Sequence, residues 1–500
     1  GVNVSGVLTA TTFKGDGSNL TGVGESIVPW YYNPDTYDTA VPVSTGIGYT
    51  FNKLVNMGSG TVTLKIVNAG VAGTTIQSWG ISSVTQAAVT EFALNSLVSP
   101  LIINQTYQVD IPEGFVVSST GTNYAGTAYT FTAQGAERKF FSWGQGSDGR
   151  RDTNSTQTVS SPVQIPGTTW NQLSGSFAWN AYHALNTKTD GTLWSWGYDI
   201  AGELGINRGS NAKFSSPVQI PGTTWSNART GIDCSTATKT DNTLWVWGNC
   251  DYGQLGINQS NIHYSSPVQV PGTTWATGRF KMAGGKRWNA AIKTDGTLWI
   301  LGGEDDAGEL AQNNNANFSS PTQIHGSGTN WSTIHGGDLS CMAIKTDGTM
   351  WAWGNNDDGV LGQNQPQNSH YSSPVQVPGT TWKQASIGYN EAGVVKTDGT
   401  LWMWGSNQYG ELGHNNTVKY SSPVQVSGTT WNEVSTGYDF TTATKTDGTL
   451  WAWGRNHSGY LGQNSIVDYS SPVQIGTETG WGSSQALRQF ALAVQDDQTP

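Results

Sequence analysis

The chain contains many short stretches in which polar and apolar residues alternate. Gly, Pro, Asn or Asp residues bound these stretches. One stretch, CSTATK at 234–239, is followed after Asp241-Asn242 by LWVWG at 244–248. Alternation places every second side chain on one face of a strand, and a two-residue turn joins the strands of a hairpin. The pattern therefore predicts antiparallel hairpins. In the other copies the turn is Asp-Gly, at 190–191, 295–296, 347–348, 398–399 and 447–448.

The hairpins belong to a repeat marked by a Trp-Gly dipeptide. Successive copies are 49 to 54 residues apart, and one is degraded to Leu301-Gly302. Each unit holds four strand signals, and a repeated unit of this size buries its apolar face against its neighbours. The expected fold is all-β, with residues 135–500 forming a seven-bladed β-propeller of four-stranded blades. The intact dipeptides begin at Trp143, Trp196, Trp247, Trp353, Trp404 and Trp453.

The two ends of the repeat region complete one another. The tail FALAVQDDQTP at 490–500 matches the strand that runs into the Asp-Gly turn, and KFFSWG at 139–144 matches the strand that follows it. One blade is therefore expected to combine strands from both ends, which protects the edges of the sheets.

Most of the 23 tryptophans occupy two positions of the repeat, in LWxWG and after Thr-Thr. A row of aromatic residues can bind sugars, but at a regular repeat spacing it more often packs one blade on the next. We interpret these tryptophans as packing.

Units of the form LWxWGxNxxGxLGxN…SSPVQV resemble the regulator of chromosome condensation repeat over about residues 135–500. The resemblance implies a seven-bladed propeller that acts as a nucleotide exchange factor, as an inhibitor of β-lactamases or as an interaction scaffold. The family's frequent His after the repeat's Gly is replaced here by residues such as Cys234, Glu391 and Phe440. No counterpart of a basic chromatin-binding tail is visible, which disfavours the exchange-factor role.

Residues 29–134 hold six or seven short strand signals, which predict a β-sandwich. The phrases YTFNKLVNMGSGTVTLKI and LIINQTYQVDIPEGFV resemble the bacterial Ig-like domain of surface-layer and adhesin proteins. In that family the domain is a spacer or display module.

Residues 1–28, GVNVSGVLTATTFKGDGSNLTGVGESIV, have too little apolar surface to fold alone. They are similar to segments of bacteriophage tail-fibre proteins, which implies attachment to other virion proteins and a homo-oligomer, a trimer. A flexible linker is the alternative. The start at Gly1 rather than Met indicates processing or a fragment.

The charged residues, the apolar runs and the cysteines limit the possible partners and the location of the chain. Only 12% of the residues are charged and the net charge is −11, so we expect no nucleic-acid partner. No run of 18 apolar residues exists, so we expect no membrane insertion. Of the three cysteines, Cys234 and Cys250 flank one predicted hairpin, and whether they pair stays open, with the unpaired state favoured.

Motifs for catalysis are absent from the sequence. The seven histidines form no HExxH, and neither CxxC nor GxSxG occurs. We expect no catalytic residue, no metal site, no cofactor and no enzyme activity. The acidic clusters 304–306 and 357–358 are interpreted as solvated turns rather than calcium loops. A carboxylate pair that cleaves glycans stays open.

Loops at the ends of a propeller carry recognition. The loop after the repeat's Gly varies from unit to unit, and seven-fold repetition should gather these loops around one mouth of the channel. Two units also carry an insertion before this loop, which contributes Trp179 and residues 279–281. The candidate binding residues are Trp179, Tyr182, His183, Asp233, Lys286, Arg287, Trp288, Asp338, Tyr389, Asn390, Glu391, Tyr438, Asp439 and Arg488.

The leading functional hypothesis is a non-enzymatic bacteriophage fibre or appendage protein, extracellular in the virion. Residues 1–28 would attach it, the Ig-like domain would space it, and the propeller would bind a host-surface glycan or protein. A bacterial surface or secreted protein that binds or inhibits another protein is the first alternative. A glycan-cleaving propeller is the second.

Overall fold

The structure is a computed structural model, and it divides into two units, Gly1–Ala136 and Glu137–Pro500. No helix in the described part of the chain is long and apolar enough to cross a membrane. The structure describes residues 29–33, 41–42, 48–51, 55–57, 59, 61–68, 71–80, 84–88, 91–94, 106–112, 115–118, 127–134, 138–147, 151, 155–167, 169–171, 173, 182–208, 211–314, 316–324, 328–365 and 369–496.

The described part of the first unit consists of β-strands in two larger sheets and one strand pair. The sheet orders are β1-β3-β8-β7 and β2-β11-β9-β5-β6, and β10 pairs with β4. The strands are β1 (Pro29–Asn33), β2 (Val41–Pro42), β3 (Gly48–Phe51), β4 (Val55–Met57), β5 (Thr61–Asn68), β6 (Val71–Gly80), β7 (Val84–Ala88), β8 (Glu91–Leu94), β9 (Thr106–Ile111), β10 (Val116–Ser118) and β11 (Thr127–Gln134).

The larger sheet shows the alternation that the sequence predicts. In the antiparallel pair β5 and β9, Leu64 lies opposite Val109, and both are buried. On the other side of the same strands Lys65 forms a 2.6 Å ion pair with Asp110. One face of these strands is therefore apolar and packed, as in an Ig-like sandwich.

The second unit contains the strands of the repeats. They are β12 (Arg138–Gly144), β13 (Val159–Ile165), β14 (His183–Thr187), β15 (Leu193–Asp199), β16 (Ala212–Ile220), β17 (Trp225–Thr230), β18 (Cys234–Lys239), β19 (Leu244–Gly248), β20 (Tyr264–Val270), β21 (Met282–Gly284), β22 (Trp288–Ile292), β23 (Leu298–Gly303), β24 (Thr322–Gln323), β25 (Trp331–Gly336), β26 (Ser340–Lys345), β27 (Met350–Gly354), β28 (Tyr371–Val377), β29 (Trp382–Ile387), β30 (Glu391–Lys396), β31 (Leu401–Gly405), β32 (Tyr420–Val426), β33 (Trp431–Thr436), β34 (Phe440–Lys445), β35 (Leu450–Gly454), β36 (Tyr469–Gln474), β37 (Trp481–Ala486) and β38 (Phe490–Asp496).

These strands form seven sheets within the described residues, which we number as blades along the chain. Blade 1 has three strands within the described residues, β14-β15-β16. Blades 2 to 6 are β17-β18-β19-β20, β21-β22-β23-β24, β25-β26-β27-β28, β29-β30-β31-β32 and β33-β34-β35-β36, and blade 7 is β37-β38-β12-β13.

Blade 7 joins the two ends of the unit. Strand β38 pairs antiparallel with β12, so that Val494 lies opposite Phe140. One buried apolar cluster then combines Leu487 and Leu492 of blade 7 with Trp196 of blade 1. The sheets therefore close into a ring, which is a β-propeller.

Each Asp-Gly or Asp-Asn hairpin turn is fixed by a short chain of hydrogen bonds. The Asp190 carboxylate accepts the Thr192 N–H at 2.9 Å and its O–H at 2.6 Å. The Thr192 hydroxyl accepts the Trp194 indole N–H at 2.8 Å. The lysine that precedes the turn, Lys188, lies over the rings of Trp170 and Trp194, a cation–π arrangement. The same Asp–Thr–Trp chain and the same lysine between two tryptophans recur in blades 2 to 6.

The tryptophan of each Trp-Gly dipeptide holds its blade to the preceding one. Trp404 is fully buried, and its indole N–H donates to the Val360 carbonyl of the preceding blade at 2.7 Å. The packing interpretation of these tryptophans is confirmed. The equivalent bonds join Trp143 to Tyr460, Trp247 to Glu203, Trp353 to Glu309 and Trp453 to Glu411.

The glycine of the dipeptide is required by the backbone. Gly248 has a φ of 100°, and a Cβ there would lie 2.6 Å from the Asp233 carbonyl oxygen. Only glycine adopts this conformation without strain and leaves room for the neighbouring strand. The β-bulge at the same point bends the strand away from its partner.

We expect Trp404→Phe to lower the free energy of unfolding by about 2–4 kcal/mol, because the Val360 carbonyl stays buried without its donor and a cavity is left. Urea denaturation measures this. Trp402→Phe is the matched control, since the half-buried Trp402 donates only to Thr400 of its own turn. Equal losses in the two variants would contradict the role of the inter-blade bond.

Candidate binding face of the propeller

The strand order places two sets of loops at the same end of the ring. In blade 2 the loop 231–233 joins the first strand to the second, and the loop 249–263 joins the third to the fourth. Because the strands are antiparallel, both loops lie at one end, and the Asp-Asn turn lies at the other. We call the first end the loop face and the second the turn face.

Thirteen of the fourteen candidate binding residues lie in the described part of the chain, and Trp179 lies outside it. The thirteen follow the first strand of their blade, and the loop face therefore gathers them. Nine are half-buried and reach the surface of this face: Tyr182, Asp233, Lys286, Arg287, Tyr389, Asn390, Tyr438, Asp439 and Arg488.

The other four candidate residues are buried beneath the loop face. His183 donates to or accepts from the Ser235 hydroxyl at 2.9 Å, and burial lowers the pKa of its imidazole to about 3. The Trp288 ring is fully buried between blades, and its indole N–H donates to the Asp338 carbonyl at 3.2 Å. Burial raises the pKa of the Glu391 carboxyl well above its usual value. These side chains support the face from below and do not form its surface.

One charged cluster on the loop face surrounds Arg287. Its guanidinium forms an ion pair with Glu304 and lies 4.4 Å from the centre of the Tyr252 ring. Asp338 lies near it, and burial raises the pKa of this carboxyl to about 6, although Lys286 and Arg287 lower it. Cationic, anionic and aromatic groups therefore lie side by side.

A second cluster lies where blades 5 and 6 meet. The rings of Tyr389 and Tyr438 are 5.2 Å apart between centroids. The Asn390 amide donates to Asp358 at 2.7 Å. Arg455 forms a 2.8 Å ion pair with Asp439. Burial raises the pKa of the Asp439 carboxyl to about 6, although Arg455 opposes the shift. The two tyrosines and their polar surroundings offer an aromatic surface flanked by hydrogen-bonding groups.

Several members of these clusters were missed by the sequence analysis because they come from the loops after Trp-Gly. In the sequence those loops show mainly Asn, Gln and a regular aromatic residue, which indicates packing. The structure adds five of their residues to the loop face: Tyr252, Glu304, Asp358, Tyr409 and Arg455.

A buried Asn or Asp side chain fixes the shape of several of these loops. Asn407 accepts the Leu412 N–H at 3.0 Å and donates to the Val418 carbonyl at 2.9 Å. In blade 3 the equivalent residue is Asp305, which accepts the Gly308 N–H at 2.7 Å. The interpretation of 304–306 as a solvated turn is therefore wrong for Asp305, which is buried because its loop folds around it.

The cysteines are free and buried, and Cys250 donates to the Gln259 carbonyl rather than pairing with Cys234. Burial raises the pKa of the Cys234 thiol to about 12. Within the part of the chain that the structure describes, no group of three His, Cys, Asp or Glu residues is placed to hold a metal ion.

The insertion at 279–281 lies in the central channel and not on the loop face. It precedes β21, and that strand begins at the turn-face end of the blade. Arg279 forms an ion pair with Glu433 and donates to the Leu173 carbonyl at 2.9 Å, which connects blades 3, 6 and 1. The Phe280 ring packs against His335, with 4.9 Å between centroids. Arg279 and Phe280 therefore occupy part of the channel.

Family models match parts of both units. The model of the regulator of chromosome condensation (RCC1) repeat matches residues 347–394, 398–444 and 447–485, and a second RCC1 repeat model matches 431–459. The bacterial Ig-like domain model matches 31–133. The chain therefore carries RCC1 repeats in a β-propeller, preceded by a bacterial Ig-like domain.

Two curated proteins match more than half of the chain at about 25% identity. The chain is 25% identical over 299 residues to the human E3 ubiquitin-protein ligase HERC2, which is 58% of this chain but 6% of HERC2. It is 26% identical over 282 residues to the ultraviolet-B receptor UVR8 of Arabidopsis thaliana, which is 55% of this chain and 63% of UVR8. The chain thus spans less than two thirds of either relative.

Solved structures show the same fold. Prp20p of Saccharomyces cerevisiae, studied for its binding to Gsp1p and histones, matches with a TM-score of 0.63 at 18% identity, over 73% of this chain and 92% of Prp20p. Human WBSCR16 matches with a TM-score of 0.62 at 18% identity, over 71% of this chain and 99% of its own. Both likenesses concern the fold alone.

We expect Asp338→Asn to stabilise the protein at pH 8 by about 2 kcal/mol and to have little effect at pH 4. The pKa of Asp338 is higher in the folded state than in the unfolded chain. Its contribution to the free energy of unfolding is therefore favourable below about pH 4 and is lost as pH rises through about 6. Its carboxylate also has a buried oxygen without a hydrogen bond among the described residues. Urea denaturation at both pH values measures the difference, and an equal effect at the two would contradict this account.

Proposed function

We propose that the propeller is a non-enzymatic binding module that recognises a macromolecule through its loop face. The observation that carries this is the pair Tyr389 and Tyr438, held 5.2 Å apart between hydrogen-bonded Asn390 and the Arg455–Asp439 ion pair. Tyrosine offers a large, rigid contact surface with one polar group, and Tyr and Arg contribute most to binding energy at interfaces. The binding of Gsp1p and histones by Prp20p is consistent with a propeller that binds proteins.

The finer proposal is that the chain is an extracellular fibre or appendage protein of a bacteriophage virion, and that the partner is a host-surface glycan or protein. It is supported by the likeness of residues 1–28 to phage-fibre segments, by the bacterial Ig-like domain and by the low content of charged residues. A bacterial surface or secreted protein that binds another protein is the second candidate, favoured by the same Ig-like domain.

An enzymatic role in glycan cleavage receives less support. Burial raises the pKa of both the Glu391 and the Glu411 carboxyl, and Glu411 raises the pKa of Glu391 further, as a neighbouring acid in a catalytic pair would. Both side chains are buried, at 1% and 0% exposure, so a sugar ring does not reach them in this structure. A turnover assay with host polysaccharide would test this role separately from binding.

We expect the labelled full chain to bind candidate host bacteria saturably, and the double variant Tyr389→Ala with Tyr438→Ala to lose at least about tenfold in affinity, since aromatic anchors of this kind contribute about 2 kcal/mol or more. Flow cytometry over a concentration series measures the affinity. Thr380→Arg is the control, because Thr380 is exposed on the turn face.

Two outcomes would contradict the proposal in different ways. Equal loss in Thr380→Arg would move the binding surface to the turn face. Absence of binding to every host, together with recovery of the chain in purified virions, would make it a structural subunit without receptor binding.

We expect the full chain to sediment as a trimer and the chain without residues 1–28 to sediment as a monomer, because that segment has too little apolar surface to order alone. Analytical ultracentrifugation over a hundredfold range of concentration measures this. A trimer that persists without residues 1–28 would overturn the assignment of assembly to that segment.

A further inference from the structure

The central channel of the propeller contains a buried arginine with unused hydrogen-bond donors. Arg229 lies on β17, the first strand of blade 2, and is 4% exposed. Its Nε and Nη2 atoms have no hydrogen-bond partner among the described residues. The Phe280 ring of the channel insertion covers the guanidinium, with 5.0 Å between the guanidinium carbon and the ring centre. The ring shields the charge from water without supplying an acceptor.

The one carboxylate that raises the pKa of Arg229 among the described residues already has a partner. Glu433 forms an ion pair with Arg279, the second arginine of the channel. No other described residue that lines this part of the channel is acidic, since its remaining polar residues are His335, Gln384, Gln485 and serines. Among the described residues of this part of the channel, Arg229 therefore has no carboxylate of its own.

The protonation states of Arg229 and His335 leave the charge of Arg229 unpaired. Burial lowers the pKa of Arg229 to about 9, with a further decrease from Arg279, and the guanidinium remains protonated at neutral pH. Burial and the two arginines lower the pKa of His335 to about 3, so its imidazole is neutral. A buried charge without a partner costs several kcal/mol in general, and a counter-ion removes that cost.

We propose that the central channel binds one small monovalent anion, of the size of chloride, on the guanidinium of Arg229. The cavity beside Arg229 has about 40 Å³ of free space, room for a few water molecules or one such ion. The unpartnered Nε and Nη2 lie on one edge of the guanidinium, the edge that arginine offers to a single anion through two parallel N–H groups. The Ser435 hydroxyl also lines the cavity and accepts the Ala486 N–H at 3.0 Å, so its own O–H is available to donate.

The bound anion would connect the blades through the channel. Arg229 belongs to blade 2, Ser435 to blade 6, and the covering Phe280 precedes blade 3. Because the anion binds only the folded ring, it raises the melting temperature with its concentration. Larger anions do not fit in the cavity, which separates specific binding from a general salt effect.

The test compares the thermal unfolding of the full chain in sodium chloride and in sodium gluconate at equal ionic strength. We expect chloride to raise Tm by about 3 °C at a hundredfold excess over Kd, and bromide and nitrate to act alike. Arg229→Met should abolish the difference between the two salts. Arg208→Met, which removes an exposed arginine that lies over the Phe214 ring, should retain it.

Crystals grown in bromide provide the second measurement, which does not depend on the folding of any variant. An anomalous peak within hydrogen-bonding distance of Arg229 Nη2 supports the proposal. Equal melting temperatures in chloride and gluconate, or only water beside Arg229 in bromide crystals, would overturn it.

Discussion

The propeller depends on one hydrogen bond repeated around the ring, from a buried indole N–H to a loop carbonyl of the preceding blade. At Trp404 the bond is 2.7 Å long and fully buried, so neither water nor another donor replaces it. The bond acts together with the apolar contact of the ring, because the same indole fills the space between two sheets. Each blade is therefore positioned by its neighbour, as in other repeat proteins. In blade 3 Leu301 replaces the tryptophan, so this blade makes the apolar contact with blade 2 without the hydrogen bond.

The acceptor of that bond lies in the loop after Trp-Gly, and this connects the packing of blades to the loop face. A buried Asn such as Asn407 fixes the loop through three or more hydrogen bonds, while the residues at its surface differ between blades. The packed blades thus fix the positions of the loops. Residues that differ between blades, such as Tyr409 and Arg455, determine which groups each loop exposes to a partner. A rigid frame with variable loops is how binding proteins acquire different specificities on one fold.

The sequence was sufficient to predict the elements whose chemistry is local. Asp-Gly turns, alternating strands and the period of Trp-Gly predict the hairpins and the propeller, because turn conformation and strand alternation depend on neighbouring residues. The candidate site was predicted less well. Trp288, His183 and Glu391 lie in the same part of the repeat as Tyr389 but are buried, and the direction of these side chains depends on packing against the next blade. The length of the insertion at 279–281 was visible, whereas its position in the channel depends on Glu433 and His335, more than fifty residues away.

The most direct test of the account is hydrogen–deuterium exchange of the full chain, free and bound to its receptor on host envelope fragments, read by mass spectrometry. The account predicts slower exchange in the loop-face segments around 388–391 and 437–439, and unchanged exchange in the turns at 398–399 and 447–448. Protection confined to those turns, or to the Ig-like domain, would contradict the assignment of binding to the loop face.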